Sequence, residues 1–197
     1  FGHDAFAAFL ARVPGNVIVV VDEAYAELAD APDYASAIPL LARHPNLAVT
    51  RTFSKAYALA GLRVGYAVAH PELVAVMERV RESFNVNALG LAAAEAALAD
   101  TAHLQQSLAA NARQRVALAG ALRGRGWSVA PSQTNFLLVE FGPAAARIEA
   151  GLLARGVVLR PMGGYGLPEC LRITVGTGEQ NARLLASLDA VIDGAAA

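Results

Sequence analysis

Residues 52–66 read TFSKAYALAGLRVGY, and this stretch decides both the fold and the chemistry that we expect of the chain. It begins at the end of a strand predicted over residues 46–52 and leads through a loop into another strand predicted over residues 63–69. Lys55 and Arg63 therefore lie beside strand ends. Open α/β sheets place their ligand contacts there, so we expect a binding site at this position.

Lys55 is the only lysine of the chain, and every other basic residue apart from histidine is arginine. A position that keeps lysine indicates a need for a primary amine, although a lone lysine also arises by chance. The hydroxyl groups of Thr52 and Ser54, together with Arg63, suit a phosphate dianion. A partly desolvated lysine beside them is nucleophilic toward a carbonyl group. An aldehyde that carries a phosphate, such as pyridoxal phosphate, meets both requirements.

A second group of polar residues follows the β-branched run VIVVV at 17–21, which predicts a strand buried on both faces. Asp22 ends this run, and its carboxylate would keep a pyridine nitrogen protonated. Tyr25 comes three residues later. The alternatives are a helix-capping aspartate with a packing tyrosine, or a nucleotide hydrolase in which Asp22 serves magnesium. The phosphate loop that such a hydrolase needs is absent from this sequence.

Strands and helices alternate along the rest of the chain, which predicts an α/β fold. The alanine-rich segment 88–99 is apolar on nearly every face and is expected to be a buried helix. We place a domain boundary near residue 100, giving domains 1–100 and 101–197. The further helices are predicted over residues 72–81, 101–123, 143–154 and 179–192, and the further strands over residues 135–141, 157–160 and 171–175.

The composition excludes several classes of protein. The 197 residues are 55% hydrophobic and 17% charged with a net charge of -1, so a disordered chain and an electrostatic nucleic-acid or membrane binder are both excluded. No apolar run approaches the roughly 18–20 residues that span a bilayer. A single cysteine rules out an internal disulfide and fits the cytoplasm. The four histidines lack metal-ligand spacing, so no metal site is expected. Because Phe1 rather than Met begins the sequence, we expect a longer protein.

The chain resembles the fold-type-I pyridoxal-phosphate-dependent aminotransferases of class I/II, and among them the histidinol-phosphate aminotransferase family. The block with Ser54-Lys55 and Arg63 is specific for the superfamily, and the blocks after residue 157 indicate the histidinol-phosphate branch. The matching motifs are DEAY at 22–25, residues 52–66, FNVN at 84–87, PSQTNF at 131–136, VVLRPM at 157–162, GGYGLP at 163–168 and LRITVGT at 171–177.

The resemblance implies a role for each motif residue. Lys55 would be the Schiff-base lysine and would carry the proton to and from the substrate. Asp22 would pair with the pyridinium nitrogen, and Tyr25 would bind the 3-oxygen of the cofactor. Thr52, Ser54 and Arg63 would hold the cofactor phosphate, whereas Arg160 and Arg172 would bind the anionic end of the substrate. Tyr57-Ala58 stands where Phe-Gly is more usual in the family, and we expect no loss of chemistry from this conservative change.

The implied fold is the C-terminal part of a large domain with a mainly parallel sheet flanked by helices, followed by a smaller α/β domain. The implied reaction is transamination of histidinol phosphate with 2-oxoglutarate or glutamate, in histidine biosynthesis, by a cytoplasmic homodimer. An aromatic amino-acid aminotransferase and a threonine-phosphate decarboxylase are near alternatives that use the same residues. The family's N-terminal phosphate loop and ring-stacking aromatic are missing here, so we expect the segment alone to be inactive.

Overall fold

Three strands of the N-terminal half form one sheet in the order β1 (Val19–Asp22), β2 (Leu47–Thr52), β3 (Gly65–Ala69). A computed structural model describes residues 2–194 of the chain. Strands β1 and β2 are parallel, with the last residue of β1 opposite Thr50, and β3 runs antiparallel to β2, with Thr52 opposite Gly65. The ends of β1 and β2 and the start of β3 therefore lie at the same edge of the sheet.

Helices separate and follow these strands along the chain. They are α1 (His3–Leu10), α2 (Pro71–Glu78), α3 (Ala88–Ala99) and α4 (Thr101–Gly124), with short 3-10 helices at Ala26–Leu28, Ile38–Ala42 and Ala60–Leu62. The side chain of Asn87 accepts a hydrogen bond of 2.7 Å from the backbone N–H of Gly90 and so caps α3. The predicted bounds of α3 match this helix.

Burial differs from the prediction at β1 and at α3. Val19 and Val21 pack against a core that includes Leu10, but Val20 on the other face of β1 is 61% exposed. In α3 the buried residues are Gly90 and Ala94, whereas the leucines of that helix lie at the surface. The predictions of a strand buried on both faces and of a buried helix were therefore wrong for this chain. An apolar composition predicts that the faces of a strand or helix avoid water. It does not predict whether residues of this chain pack against those faces.

The C-terminal half contains a second sheet, in which every neighbouring pair is antiparallel. Its order is β4 (Ser128–Val129), β5 (Phe136–Glu140), β7 (Cys170–Thr174), β6 (Arg160–Pro161). Helices α5 (Ala145–Leu153) and α6 (Gly178–Asp193) supply buried residues such as Ile148 and Leu188 to one core with this sheet. The strand predicted over residues 157–160 is reduced to two residues, because ladder pairing with β7 begins only at Arg160.

The chain divides into two compact units, Phe1–Gln106 and Ser107–Ala197. Both combine strands and helices, so the predicted α/β class is confirmed. Their assignment to the large and small domains of the family remains a prediction. Within residues 2–194, no helix is both long and apolar enough to cross a membrane.

Candidate active site

The shared edge of β1 and β2 brings Asp22 next to Thr50. The carboxylate oxygen Oδ1 of Asp22 accepts the backbone N–H of Ala24 at 3.0 Å and lies 3.4 Å from the hydroxyl group of Thr50. The side chain of Asp22 is otherwise exposed. This local turn is not a helix cap, because the 3-10 helix that follows begins at Ala26 without a side-chain cap, so the capping alternative was wrong. The turn occupies only one carboxylate oxygen, and the group remains accessible to a ligand.

Lys55 lies in the turn that follows β2. Its Nζ is 5.3 Å from the centre of the Tyr25 ring. Among the described residues this amine makes no hydrogen bond and no ion pair. The turn is fixed by backbone hydrogen bonds from Ala58 to the carbonyl oxygen of Lys55 at 3.0 Å and from Leu59 to that of Phe53 at 2.9 Å. The amine is thus held near Tyr25 without a partner that would block its reaction.

Two hydroxyl groups and a guanidinium group come from the two sides of the β2–β3 junction. The Thr52 hydroxyl accepts the backbone N–H of Ser54 at 3.1 Å and donates to the carbonyl oxygen of Val64 at 3.4 Å. Arg63 has left-handed backbone angles (φ 57°, ψ 43°), and its exposed side chain donates to the carbonyl oxygen of Ala60 at 2.7 Å. These groups are the donors that suit a phosphate dianion.

The N-terminus of α3 holds the turn that displays Arg63. The Asn87 side chain, which caps α3, also donates to the carbonyl oxygen of Leu62 at 3.2 Å. A Cβ atom on Gly90 would lie 2.9 Å from Cγ2 of Val64 and 3.2 Å from the carbonyl oxygen of Leu62. Glycine is therefore needed for the close approach of helix and turn.

A buried ion network lies beside these residues, and sequence reasoning missed it. Arg51 binds the carboxylates of both Glu23 and Glu27, and the hydroxyl of Ser36 bridges Arg51 and Glu23 at 3.1 Å and 2.9 Å. Burial alone would lower the pKa of Arg51, but the charges and hydrogen bonds of the two glutamates outweigh it and raise that pKa. Burial and the charge of Glu23 raise the pKa of the neighbouring Tyr34. The only signal for this network in the sequence was the position of Glu23 and Arg51, each near the end of an apolar strand.

The two remaining predicted site residues, Arg160 and Arg172, lie in the C-terminal unit and face each other across the β6–β7 pair. Arg160 donates to the hydroxyl of Tyr165 at 2.7 Å and lies 5.4 Å from the centre of that ring. The Arg172 guanidinium lies 4.9 Å from the centre of the Phe136 ring, and its Nε is buried with no hydrogen-bond partner among the described residues. Arg160 and Arg172 occupy paired positions, and neither forms a salt bridge among the described residues, so the two guanidinium groups suit an anionic ligand.

The predicted residues therefore form two groups. Asp22, Tyr25, Thr52, Ser54, Lys55 and Arg63 belong to the N-terminal unit, and Arg160 and Arg172 belong to the C-terminal unit. The first group offers an amine, a carboxylate and phosphate donors, which together fit an aldehyde that carries a phosphate and a basic ring. Within residues 2–194, no cluster of three or more His, Cys, Asp or Glu side chains could hold a metal ion.

Comparison with known proteins agrees with this chemistry. The family model of aminotransferase class I and II matches residues 3–188. The chain is 49% identical over 192 residues to histidinol-phosphate aminotransferase 2 of Ralstonia nicotianae, covering 96% of this chain and 51% of that protein. It is 49% identical over 191 residues to a protein of the same name from Methylococcus capsulatus, covering 97% and 52%. The crystal structure of histidinol-phosphate aminotransferase from Sinorhizobium meliloti in complex with pyridoxal-5'-phosphate matches with a TM-score of 0.90 at 33% identity, covering 99% of this chain and 54% of that one. The chain spans about half the length of the curated relatives it matches.

Proposed function

Because the chain belongs to the aminotransferase class I and II family, we propose that it forms part of a pyridoxal-phosphate-dependent aminotransferase. One observation carries the proposal. The amine of Lys55, which makes no hydrogen bond or ion pair within residues 2–194, lies 5.3 Å from the centre of the Tyr25 ring, in a turn that starts at the same sheet edge as Asp22. A lysine, an aspartate and a tyrosine in this arrangement have no common structural need, whereas a cofactor with an aldehyde, a ring nitrogen and a ring oxygen requires all three.

The donor set of the N-terminal unit fits pyridoxal phosphate. Lys55 would hold the aldehyde covalently, and Asp22 would accept a hydrogen bond from the ring nitrogen. Tyr25 would donate to the ring 3-oxygen. Thr52, Ser54 and Arg63 would bind the phosphate. When bound, the cofactor supplies an electron sink that stabilises negative charge at the substrate α-carbon.

The chain's own residues would then handle the protons. With the cofactor bound, the Lys55 amine would accept the proton of the substrate α-carbon and would donate a proton again to complete the transfer. The negative charge of Asp22 would keep the ring nitrogen protonated. The aromatic ring of Tyr25 beside Lys55 restricts where the amine can move, so that the proton is delivered to a defined atom.

We propose histidinol phosphate as the substrate and 2-oxoglutarate or glutamate as the partner in the exchange. The support is the pair formed by Arg160 and Arg172, which can bind a phosphate dianion bidentately and can also bind a carboxylate. An aromatic amino-acid aminotransferase or a threonine-phosphate decarboxylase would use the same residues, and substrate tests separate the three. The nucleotide hydrolase is not proposed, since the matched family is that of aminotransferases. We also propose a cytoplasmic homodimer, which sedimentation analysis would test.

The test uses the protein produced from its complete gene. Pyridoxal phosphate is added, the visible absorption band of lysine-bound cofactor is recorded, and the adduct is reduced with borohydride and located by peptide mapping. We expect the label on Lys55. The variant Lys55→Arg keeps the positive charge but has no primary amine, so it should show no band and no label. A label on no residue, or an undiminished band in Lys55→Arg, would overturn the proposal.

A further inference from the structure

Arg51 lies between two residues of the candidate site but faces away from them. Thr50 contacts the carboxylate of Asp22, and Thr52, whose hydroxyl accepts the backbone N–H of Ser54, is a phosphate ligand in the proposed function. Side chains along a strand alternate between its two faces, so Arg51 points to the opposite face of β2. Its side chain is only 14% exposed there. A buried guanidinium group directly behind a binding site needs a specific set of partners.

The partners of Arg51 are at the two ends of the segment that carries Tyr25. Its Nε donates to Oε2 of Glu23 at 2.8 Å, and its Nη1 donates to Oε1 of Glu27 at 2.9 Å. Glu23 directly follows Asp22, and Glu27 comes two residues after Tyr25. One side chain on β2 therefore fixes both ends of the segment on which Tyr25 lies.

Glu23 is the most deeply buried charged member of this network. Glu23 is 6% exposed, and it also accepts hydrogen bonds from the hydroxyl of Ser36 at 2.9 Å and from the backbone N–H of Ala37 at 2.6 Å. Charged hydrogen bonds in such a low-dielectric environment are strong and permit little movement. These hydrogen bonds fix the segment of residues 23–27 to β2. The turn that carries Lys55 follows directly after β2.

We infer that Arg51 is a positioning residue that holds Tyr25 at its working distance from Lys55 by binding Glu23 and Glu27 together. The inference rests on the proposed function, in which the Tyr25 hydroxyl donates to the ring oxygen of the lysine-bound cofactor. That hydrogen bond would favour loss of the proton shared between the Lys55 nitrogen and the ring 3-oxygen, so it would lower the pH at which the visible band changes. Displacement of Tyr25 therefore raises this pH midpoint.

The experiment compares four variants of the complete protein with the wild type. Arg51→Lys keeps the charge but lacks the planar fork that reaches both carboxylates. Glu27→Gln weakens one end of the tie, and Tyr25→Phe removes the hydroxyl itself. Arg125→Lys is the matched control. Arg125 also forms a bidentate salt bridge, with two hydrogen bonds of 2.7 Å to Asp189, but at the surface of the other unit. The readouts are the pH midpoint of the visible band and, without cofactor, the hydrogen exchange of residues 22–27.

We expect the midpoint to rise most in Tyr25→Phe and in the same direction in Arg51→Lys and Glu27→Gln, with faster exchange at residues 22–27 in the last two. Arg125→Lys should leave both readouts unchanged. If Tyr25→Phe moves the midpoint but Arg51→Lys and Glu27→Gln only lower the melting temperature, the inference fails and the proposed function stands. If Arg51→Lys does not fold, Glu27→Gln decides between these outcomes. A wild type that forms no visible band overturns the proposed function, and the inference with it.

Discussion

At the scale of single residues, neighbouring positions at the ends of β1 and β2 serve different purposes on the two faces of the sheet. Asp22 and Thr50 face the candidate site, whereas the next residue of each strand region, Glu23 and Arg51, belongs to the buried ion network. The two-residue period of a strand separates them onto two faces. A ligand-binding face and a rigid supporting face can therefore be built from adjacent residues without competing for the same groups.

Tyr34 beside this network carries an unsatisfied group, which gives the first prediction. Its hydroxyl is buried with no hydrogen-bond partner among the described residues. Tyr34→Phe removes the desolvated hydroxyl and should raise the free energy of unfolding by about 1 kcal/mol, measured by urea titration. Tyr66→Phe is the control, because Tyr66 is 46% exposed, and it should change stability by less than about 0.5 kcal/mol.

The effect of Tyr34→Phe on stability should depend on pH. Burial, then the charge of Glu23, raises the pKa of Tyr34, so the folded state holds this proton more tightly than the unfolded state does. The resulting stability is present below the unfolded pKa of about 10 and is lost as the pH rises through the folded pKa. Tyr34→Phe should therefore lose less stability than the wild type between pH about 9 and about 11. An equal loss in both proteins would contradict the assignment of this titration to Tyr34.

Ala58 gives the second prediction at this scale. Alanine in place of the family's more usual glycine was expected to be a conservative change. The φ angle of Ala58 is however 57°, in the left-handed region. A side chain there costs about 1–2 kcal/mol, which the greater backbone entropy of glycine in the unfolded chain offsets in part. Ala58→Gly should raise the free energy of unfolding by about 1 kcal/mol with the Lys55 chemistry unchanged.

The control for Ala58 is the same change in a right-handed backbone. Ala117 is exposed in α4, where glycine should lower stability by about 1 kcal/mol. Denaturation curves of Ala58→Gly and Ala117→Gly should therefore move in opposite directions. A loss of stability in both variants would show that the turn at Ala58 is not strained.

At the scale of elements, the start of α3 positions the turn of Arg63. Gly90→Ala should press a Cβ atom against Val64 and the carbonyl oxygen of Leu62, and the overpacking should cost about 1–3 kcal/mol. Because that turn carries Arg63, the variant should also bind pyridoxal phosphate more weakly. Gly120→Ala in α4 is the matched control, since no atom lies within 4 Å of its added Cβ, and helix propensity should stabilise it by about 1 kcal/mol. Unchanged cofactor affinity in Gly90→Ala would contradict this role of α3.

Elements were predictable from the sequence where local signals decide them. The alanine-rich run at 88–99 predicted the bounds of α3, which Asn87 caps in the structure, and the β-branched residues before Asp22 predicted a strand. The length of β6 was not predictable, because a strand ends where its partner stops pairing, and β7 pairs with it only at Arg160 and Pro161. Burial also failed for Val20, since it depends on what covers a strand and not on the strand itself.

At the scale of the whole molecule, the candidate site was predictable only as separate motifs. The resemblance identified Lys55, Asp22 and the arginine pair, but the contacts between motifs span long sequence distances. Arg51 binds Glu23 across 28 positions, and no periodicity in either segment indicates that pairing. The supporting network therefore became visible only in the folded chain. The roles of the motif residues themselves remain predictions.

The two units divide the proposed work between them. Under the proposed function, the residues that would hold the cofactor lie in the N-terminal unit, whereas Arg160 and Arg172, which would bind the anionic end of the substrate, lie in the C-terminal unit. The account therefore predicts that the cofactor and the substrate phosphate depend on different residues. Arg160→Gln should weaken binding of a phosphorylated substrate strongly while the visible band of the bound cofactor stays normal.

The most direct measurement is the single-turnover reaction of the complete protein loaded with pyridoxal phosphate, followed by the loss of its visible band. Histidinol phosphate, histidinol and phenylalanine are added separately to the wild type and to Lys55→Arg. The account predicts fast conversion of the wild type with histidinol phosphate and slow conversion with the two compounds that lack a phosphate. Lys55→Arg, which forms no visible band, should yield no amino form of the cofactor after any addition, as measured by chromatography. Faster conversion with phenylalanine would contradict the substrate assignment, and no conversion with any amine would contradict the proposed aminotransferase activity.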